Sequence, residues 1–597
     1  MEAKVRSFYA RGWQWGLRAA ALFVVLFARP AVQAQSFFAI GAEFQVNTFT
    51  TGNQYVFGWR EVSTDGNGNF VVAWRSDFQD GEYGGVFAQR YDSNGAPLGS
   101  EFQVNSSTLG NQTYPAVAAD PAGNFVVVWQ DDYGVDGDAG GIFGQRFSSN
   151  GAAAGSEFQI NANTVYGQEY PFVETDADGD FVVVWASAAD MARTDLNVMA
   201  QRYSSDGTPV GTEFQVNTYT TGVQYDCTVS VDDAGNFVVV WEDADGQDGN
   251  GQGAFAQRFG SNGSRLGDEF QLNTYTTNDQ YYPSVTLASD GAFIAWWNSD
   301  IQDGSEGGVF AQRYASDGTR AGTEFQVNTY TTGSQLFAQL TLDAAGKVFA
   351  VWGSAQDGDG DGVFGQQFDA NNAPIGAEFQ INTYTTASEQ FPAAAMTATG
   401  EVLVVWLQNG GQDGDGEGVF AQRLRLSCPA SPSGSCGTST KGKLLIKDSS
   451  DDTKDKLVWK WGNGSGADTQ SAFGDPTAST NNRLCVYDDG VLKFEANVPA
   501  GADWEAASTT GYKFKGDGTS SGGIQKMKLK SGAAGTAKIL AKGKGGLALP
   551  APASGTAFFN QTTSVTVQLH SSAGNCWGNS FSAAQSSNEA DQFKAKF

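Results

Sequence analysis

The chain has 597 residues, a net charge of -29, 40 % hydrophobic and 13 % aromatic residues, and a single histidine, His570. At roughly 150 residues per domain it holds several domains with sizeable cores, and its composition excludes disorder and collagen-like structure. The acidic charge argues against nucleic acid as a partner, and one histidine all but excludes histidine-built metal sites and His-dependent triads.

Residues 1–34 read as a signal peptide. Arg6, Arg11 and Arg18 give a positive start, Ala19–Phe27 an apolar stretch too short to span a bilayer, and Val32 and Ala34 the small residues before a cleavage site. No later segment has the length of a membrane helix. A secreted, extracellular or cell-surface protein is expected, with the periplasm as the other exported address.

Residues 35–427 repeat. The dipeptide Glu-Phe begins at Glu43, Glu101, Glu157, Glu213, Glu269, Glu324 and Glu378, at spacings of 58, 56, 56, 56, 55 and 54 residues. Each unit holds four short apolar runs divided by glycine turns, as in Tyr114–Asp120, Asn124–Gln130, Gly141–Phe147 and Ser156–Asn161. Four antiparallel strands per unit is the pattern of a propeller blade. The fourth-strand motif appears before any first strand, and the last three-strand set has no fourth strand after it. An all-β fold is therefore expected, with a seven-bladed β-propeller closed by its N-terminal strand, which removes two exposed edges.

Within the repeat, Trp74, Trp129, Trp185, Trp241, Trp297, Trp352 and Trp406 end each second strand and read as core. Third strands carry Gln-Arg in every repeat except the sixth, where Gln366-Gln367 stands, and an Arg–Glu ladder with the fourth strands is expected.

Loops between second and third strands, and between fourth and first strands, share one face of a propeller. The former are acidic: Asp357, Asp359 and Asp361; Asp413, Asp415 and Glu417; Asp245 and Asp248; Asp136 and Asp138. Alternating carboxylates on a glycine-rich backbone suit calcium, and Asp357 to Gly362 matches the first half of an EF-hand-like loop. Phe368 stands where the closing glutamate belongs, and Asp-Gly is also ordinary turn chemistry. The fourth-to-first loops present Tyr219, Tyr275, Tyr330 and Tyr384, which either stack on a sugar or pack between blades. In the first strands Glu174 alone is charged in its column. With Asp226 on the next unit it forms the candidate pair for an acid-catalysed glycosidase, the competing reading being a carboxylate held by a third-strand arginine.

Residues 428–440 form a Pro/Gly/Ser-rich linker in which Cys428 and Cys436 are expected to pair, with Cys485 and Cys576 pairing further on. Four cysteines allow three pairings, and Cys227 is left as a buried thiol. Residues 441–597 change character. Residues 437–597 hold 18 basic and 14 acidic residues, against 13 and 50 over residues 35–436. Lys456–Trp461 and Ile524–Lys530 alternate apolar residues with lysine, and about eight such strands predict a β-sandwich. Its lysine faces are solvated, or contact anionic polysaccharide, lipid headgroups or the acidic propeller.

The units carrying Glu-Phe-Gln-Val-Asn-Thr-Tyr-Thr-Thr-Gly and Gly-Val-Phe-Ala-Gln-Arg, as at Gln302–Arg313, resemble repeats of large bacterial secreted proteins. The resemblance implies an association with calcium-binding adhesin or RTX-type modules and brings no catalytic residues. The last domain, with Arg483-Leu-Cys-Val-Tyr and Asn575-Cys-Trp, is similar to a module of uncharacterised bacterial secreted proteins. Together these point to a bacterial binding or adhesion protein with a glycan or protein ligand, and lean away from an enzyme. The alternatives are a polysaccharide hydrolase or lyase and a structural envelope protein.

Overall fold

The structure is a computed structural model. It describes residues 37–597 except 41, 59, 133–136, 138–139, 344–345, 398–399, 427, 429–431, 433–435, 448–453, 465–468, 474, 478–481, 499–500, 508–509, 519–520, 546, 548–563, 572–574, 583–585 and 590–591. The expected signal peptide, Asp136 and Asp138 lie outside the described residues. Among these residues no helix is long and apolar enough to cross a membrane.

The fold is all-β, and up to residue 426 the described strands form five four-stranded and two five-stranded antiparallel sheets, one of which joins Phe37–Ala39 and Phe44–Gln45 to the last three strands of the region. In one of them Phe125–Asp131 lies between Gln112–Ala119 and Gly141–Phe147, with Phe158–Gln159 outermost. Valine runs such as Phe125–Val128 are buried on both faces, as strands sandwiched between other sheets must be. The seven expected tryptophans are all within 1 % of full burial, each in a hydrophobic cluster.

Each of these clusters is shared by two neighbouring sheets, so no sheet has a core of its own. One joins Val71 and Val86 to Val127 and Trp129; another joins Val72 and Trp74 to Val405 and Val419. Phe37–Ala39 and Phe44–Gln45 both pair with Gly418–Leu426, and Glu389–Met396 touches Val62–Thr64.

The expected Arg–Glu ladder does not form. Third-strand arginines instead reach the carbonyls of the turn between third and fourth strands in the following sheet. Arg90 binds Ser149 and Asn150 at 2.7 and 2.6 Å, Arg202 binds Ser261 at 2.6 Å, and Arg423 binds Ser93 and Asn94. These carbonyls have no ladder partner, and a guanidinium satisfies them better than a distant carboxylate would be served.

Residues 439–597 form two sheets of eight and four strands. The larger runs Trp504–Ala506, Gly511–Lys515, Ile524–Lys530, Lys538–Lys544, Lys456–Gly464, Ser439–Lys447, Gln592–Lys596 and Ser586–Glu589. Its inward Trp459, Ile539 and Met527 meet Leu484, Val567 and Phe581 of the smaller sheet in one core. Among the described residues twelve strands stand where about eight were expected.

The disulfides also differ from expectation. Cys428 bonds Cys485 and Cys436 bonds Cys576, with Cα separations of 5.7 and 4.7 Å. Gly437 is the reason for the second: its N–H donates to the Cys576 carbonyl at 2.9 Å and fixes Cys436 beside that strand. Glu495 does similar work for the first, accepting the Cys428 N–H at 3.0 Å and Arg425 at 3.1 Å. Cys227 is a buried free thiol, as its strand pattern suggested.

Candidate functional site

The first strands of the sheets carry a repeated irregularity. At Tyr114, Tyr170, Asp226, Tyr282, Phe337 and Phe391 the pairing register shifts, and φ lies between 46° and 55°. Left-handed backbone costs a non-glycine residue about 1 kcal/mol or more, so six repeats of it mark a built feature. It turns these side chains into a collar of rings. Phe57 meets Tyr114 at 4.5 Å, Tyr114 meets Tyr170 at 4.9 Å, Tyr282 meets Phe337 at 5.3 Å and Phe337 meets Phe391 at 4.4 Å. Asp226 alone interrupts the collar.

The first unit contributes a crossing segment. Its 58-residue spacing exceeds the others, and the surplus lies between Gln54–Tyr55 and Val62–Thr64, which pair with the same strand. The Gly58 carbonyl accepts Gln339 Nε2 at 2.9 Å, and the Arg60 carbonyl accepts the Val117 N–H at 2.8 Å. A Cβ on Gly58 would come within 3.0 Å of the Phe391 Cα, at a backbone φ of 78° that glycine alone tolerates well. The segment thus touches the three further sheets that hold Val117, Gln339 and Phe391.

Arg60 then forms an ion pair with Glu174, and its guanidinium stands 5.9 Å from the centre of the Phe172 ring. The two come from sheets that are not neighbours in the chain. Both line a cavity of about 340 Å³, together with Trp296, Gln339, Asp176 and Asp232. Burial raises the Glu174 pKa and Arg60 opposes the rise. The partner of Glu174 is therefore Arg60 and not a third-strand arginine, because those arginines serve the outer turns. This cavity lies at the turns joining first and second strands, on the face opposite the acidic and tyrosine-bearing loops where sequence reasoning placed the site.

Glu174 and Asp226 are not brought into one site. Asp226 lines a separate cavity of about 30 Å³ with Gly58, Tyr282, Phe337 and Gln339. In the repeat the two positions are four residues apart along the strand, roughly 13 Å at the usual rise, beyond the 5–10 Å of a working carboxylate pair. Asp226 instead faces Glu242. Both are buried and both pKa values are raised, by desolvation first and, for Asp226, by the charge of Glu242. Glu242 accepts the Tyr282 N–H at 3.0 Å. The signal was available: after the repeat tryptophan come Arg75, Gln130, Ala186, Glu242, Asn298, Gly353 and Leu407, and Glu242 is the one acid. Glu169, raised by burial, pairs with Arg193 at 2.6 Å.

The acidic loops are turns. Asp357 Oδ1 accepts the Asp359 N–H at 3.3 Å, Asp413 Oδ1 that of Asp415 at 3.2 Å and Asp248 Oδ1 that of Asn250 at 3.1 Å. The Oδ2 atoms of Asp357 and Asp413 would lie 2.6 and 2.8 Å from a Cβ on Gly362 and Gly418, which explains those glycines. Asp361 Oδ2 accepts Gln390 Nε2 at 2.7 Å, Asp245 Oδ2 the Val223 N–H at 2.7 Å, and Glu417 is raised in pKa by burial beside Tyr55. Tyr219, Tyr275, Tyr330 and Tyr384 are half-buried, and their carbonyls accept the side chains of Asn217, Asn273, Asn328 and Asn382.

Sequence reasoning missed Glu389. It occupies the place of Gln54, Gln112, Gln168, Gln224, Gln280 and Gln335 and is fully buried. Its Oε2 accepts Asn382 Nδ2 at 2.8 Å, while Oε1 has no partner. Among the described residues one group of three His, Cys, Asp or Glu side chains converges closely enough for a metal, Cys436, His570 and Cys576. Its sulfurs are bonded to each other and are not ligands.

No protein-family model and no curated protein matches the chain. Solved structures align with it at low identity. A protein of unknown function from Dyadobacter fermentans DSM 18053 covers 66 % of this chain and 99 % of its own, at 12 % identity and a TM-score of 0.42. An ulvan lyase covers 64 % and 95 %, at 12 % identity and 0.41. The α-L-arabinanase of Penicillium chrysogenum, solved with arabinobiose, covers 52 % and 92 %, at 15 % identity and 0.38.

Proposed function

We propose that the protein is an exported binding protein: a seven-bladed propeller over residues 35–427, closed by its N-terminal strands, a linker over 428–440 and a sandwich over 441–597. Its site is the axial cavity, which takes a polar group of a glycan or protein ligand beside Arg60 and Glu174. The observation that carries this is the Arg60–Glu174 ion pair, its carboxylate buried and its guanidinium half-buried, with both side chains lining an open polar cavity. Buried charge is expensive unless it serves structure or recognition, and opening half of the pair to a ligand gives an orienting donor and acceptor. Asp176 and Asp232 in the same lining hold turn N–H groups, which argues against a second working acid there.

The test is calorimetric titration of neutral and acidic oligosaccharides into the full chain and into Arg60→Lys and Glu174→Gln variants. Saturable binding without turnover, weakened at least tenfold in both variants, is expected. Binding untouched by either substitution moves the site elsewhere.

A hydrolase or lyase is the second reading, favoured by one observation: the buried Asp226–Glu242 pair, raised in pKa, can hold a proton at the collar. Glycan cleavage that disappears in Asp226→Asn while melting is retained would establish it. Calcium remains the proposed ligand of the acidic loops, with Asp357, Asp359 and Asp361 as its oxygens.

A further inference from the structure

The outer face of the eight-stranded sheet is a field of lysine. Its four central strands, Ile524–Lys530, Lys538–Lys544, Lys456–Gly464 and Ser439–Lys447, carry eleven lysines, all exposed. Their register sets like charges directly opposite one another: Lys447 faces Lys456, Lys530 faces Lys538 and Lys526 faces Lys542. Lysine 456 faces a further lysine, Lys544, on its other side. Like charges across a strand pair destabilise a sheet, and these four strands carry no acidic residue to offset them. Among the described residues the one ion pair on this sheet is Lys513 with Glu505, at its edge. A merely soluble surface would intersperse both signs, as stable exposed sheets do.

We propose that this face docks on the phosphate-bearing headgroups of an anionic lipid leaflet. Three features select that partner. The charges form a two-dimensional array, roughly 14 Å across four strands at the usual spacing, which a leaflet engages at once and a single polymer chain engages row by row. They are lysines throughout, hydrated point charges that suit dispersed phosphates and lack the planar fork used for bidentate reading. Between them stand Leu445, Val458 and Leu540, half-buried and flush with the sheet, so contact is electrostatic and without insertion.

Co-sedimentation of the full chain with vesicles tests the proposal, using phosphatidylcholine alone and phosphatidylcholine with phosphatidylglycerol. Binding to the anionic vesicles only, abolished by high salt, is expected. Each lysine near such a surface strengthens binding by roughly fivefold, so Lys460→Gln, Lys528→Gln and Lys542→Gln together should weaken it about a hundredfold with melting raised or unchanged. A second set, Lys447→Gln, Lys456→Gln and Lys544→Gln, gives an independent reading if the first alters folding. No binding to anionic vesicles, or binding by both variant sets as tight as that of the unaltered chain, overturns the proposal. So does binding to soluble polygalacturonate that exceeds binding to vesicles, or salt-sensitive self-association that consumes the face.

Discussion

The carboxylate of Glu43 accepts the backbone N–H of Thr383 at 2.7 Å, across 340 residues of chain. The same bond joins Glu324 to Thr274 at 2.7 Å, Glu378 to Thr329 at 2.7 Å and Glu157 to Ser106 at 2.6 Å. Each Glu-Phe glutamate therefore caps the loop that leaves the preceding sheet, and the first of them caps the last. The repeated dipeptide thus fixes the placement of each sheet on its neighbour.

Glu43→Ala should consequently destabilise the protein as much as Glu324→Ala does. Losing a charge-assisted bond costs about 1.5–3 kcal/mol. Urea unfolding of the two variants checks this. A silent Glu43→Ala beside a damaging Glu324→Ala would mean that the N-terminal strand does not share the energetics of the other sheets.

Glu389 gives a prediction of opposite sign. Elsewhere the amide at this position donates to loop carbonyls, as Gln335 Nε2 does to Thr332 and Gly333 at 3.2 Å each. Glu389 has no such donor, and Gln408 opposite it is held by Asn409 and Gln412. Burial, then Asp357, Glu43, Asp359 and Asp361, push its pKa up from 4.5 to about 9. A carboxyl raised on folding binds its proton more tightly in the folded state. Its contribution is full below the unfolded value near 4.5 and is lost as pH rises through about 9. Glu389→Gln should raise stability at neutral pH by about 1–2 kcal/mol and flatten this pH slope. A destabilised variant, or an unchanged slope, would refute the assignment. Calcium titration of both proteins adds the metal reading: a rise in melting temperature lost in the variant puts the cation on that oxygen.

The periodic features were legible because a repeat states each position seven times. Trp241 and its counterparts, the four strands and the alternating lysines of Ile524–Lys530 could all be read from spacing. Features that depend on breaking the period were harder. Arg60 sits in the surplus of the first unit, and nothing local says that the surplus reaches Glu174. The cavity beside Arg60 is a property of the assembled sheets, so spacing alone pointed to the acidic loops and not to it. The disulfides failed for a similar reason. Cys428 and Cys436 are close in sequence, yet the Gly437 bridge and the Glu495 contact carry each to a different strand.

The Arg60–Glu174 pair predicts a strong coupling. Arg60→Ala leaves a buried carboxylate without its cation, a loss of about 3 kcal/mol, tempered by the partial exposure of Arg60. Because Glu174 already has a raised pKa, that loss should shrink as the pH is lowered and the carboxyl takes up its proton. Adding Glu174→Ala should restore part of the stability. A double-mutant cycle measured by denaturant midpoint, showing additive losses, would mean that the pair does not act as a unit.

Cys428–Cys485 and Cys436–Cys576 close loops of 57 and 140 residues, both within or at the border of the C-terminal sheets. Chain entropy assigns them about 4 and 5 kcal/mol of stabilisation as upper values. Both tie a cysteine lying between Gly418–Leu426 and Ser439–Lys447 to the four-stranded sheet, so their loss should act on that sheet and spare the tryptophan clusters of the repeats. Calorimetry in reductant is expected to show a lowered transition for residues 441–597 and an unmoved one for the propeller, with Cys428→Ser/Cys485→Ser reproducing part of the shift. Peptide mapping without reductant should recover the two long-range pairs. A Cys428–Cys436 peptide would reverse the assignment, and it would also release the Gly437 bridge that orders the start of the domain.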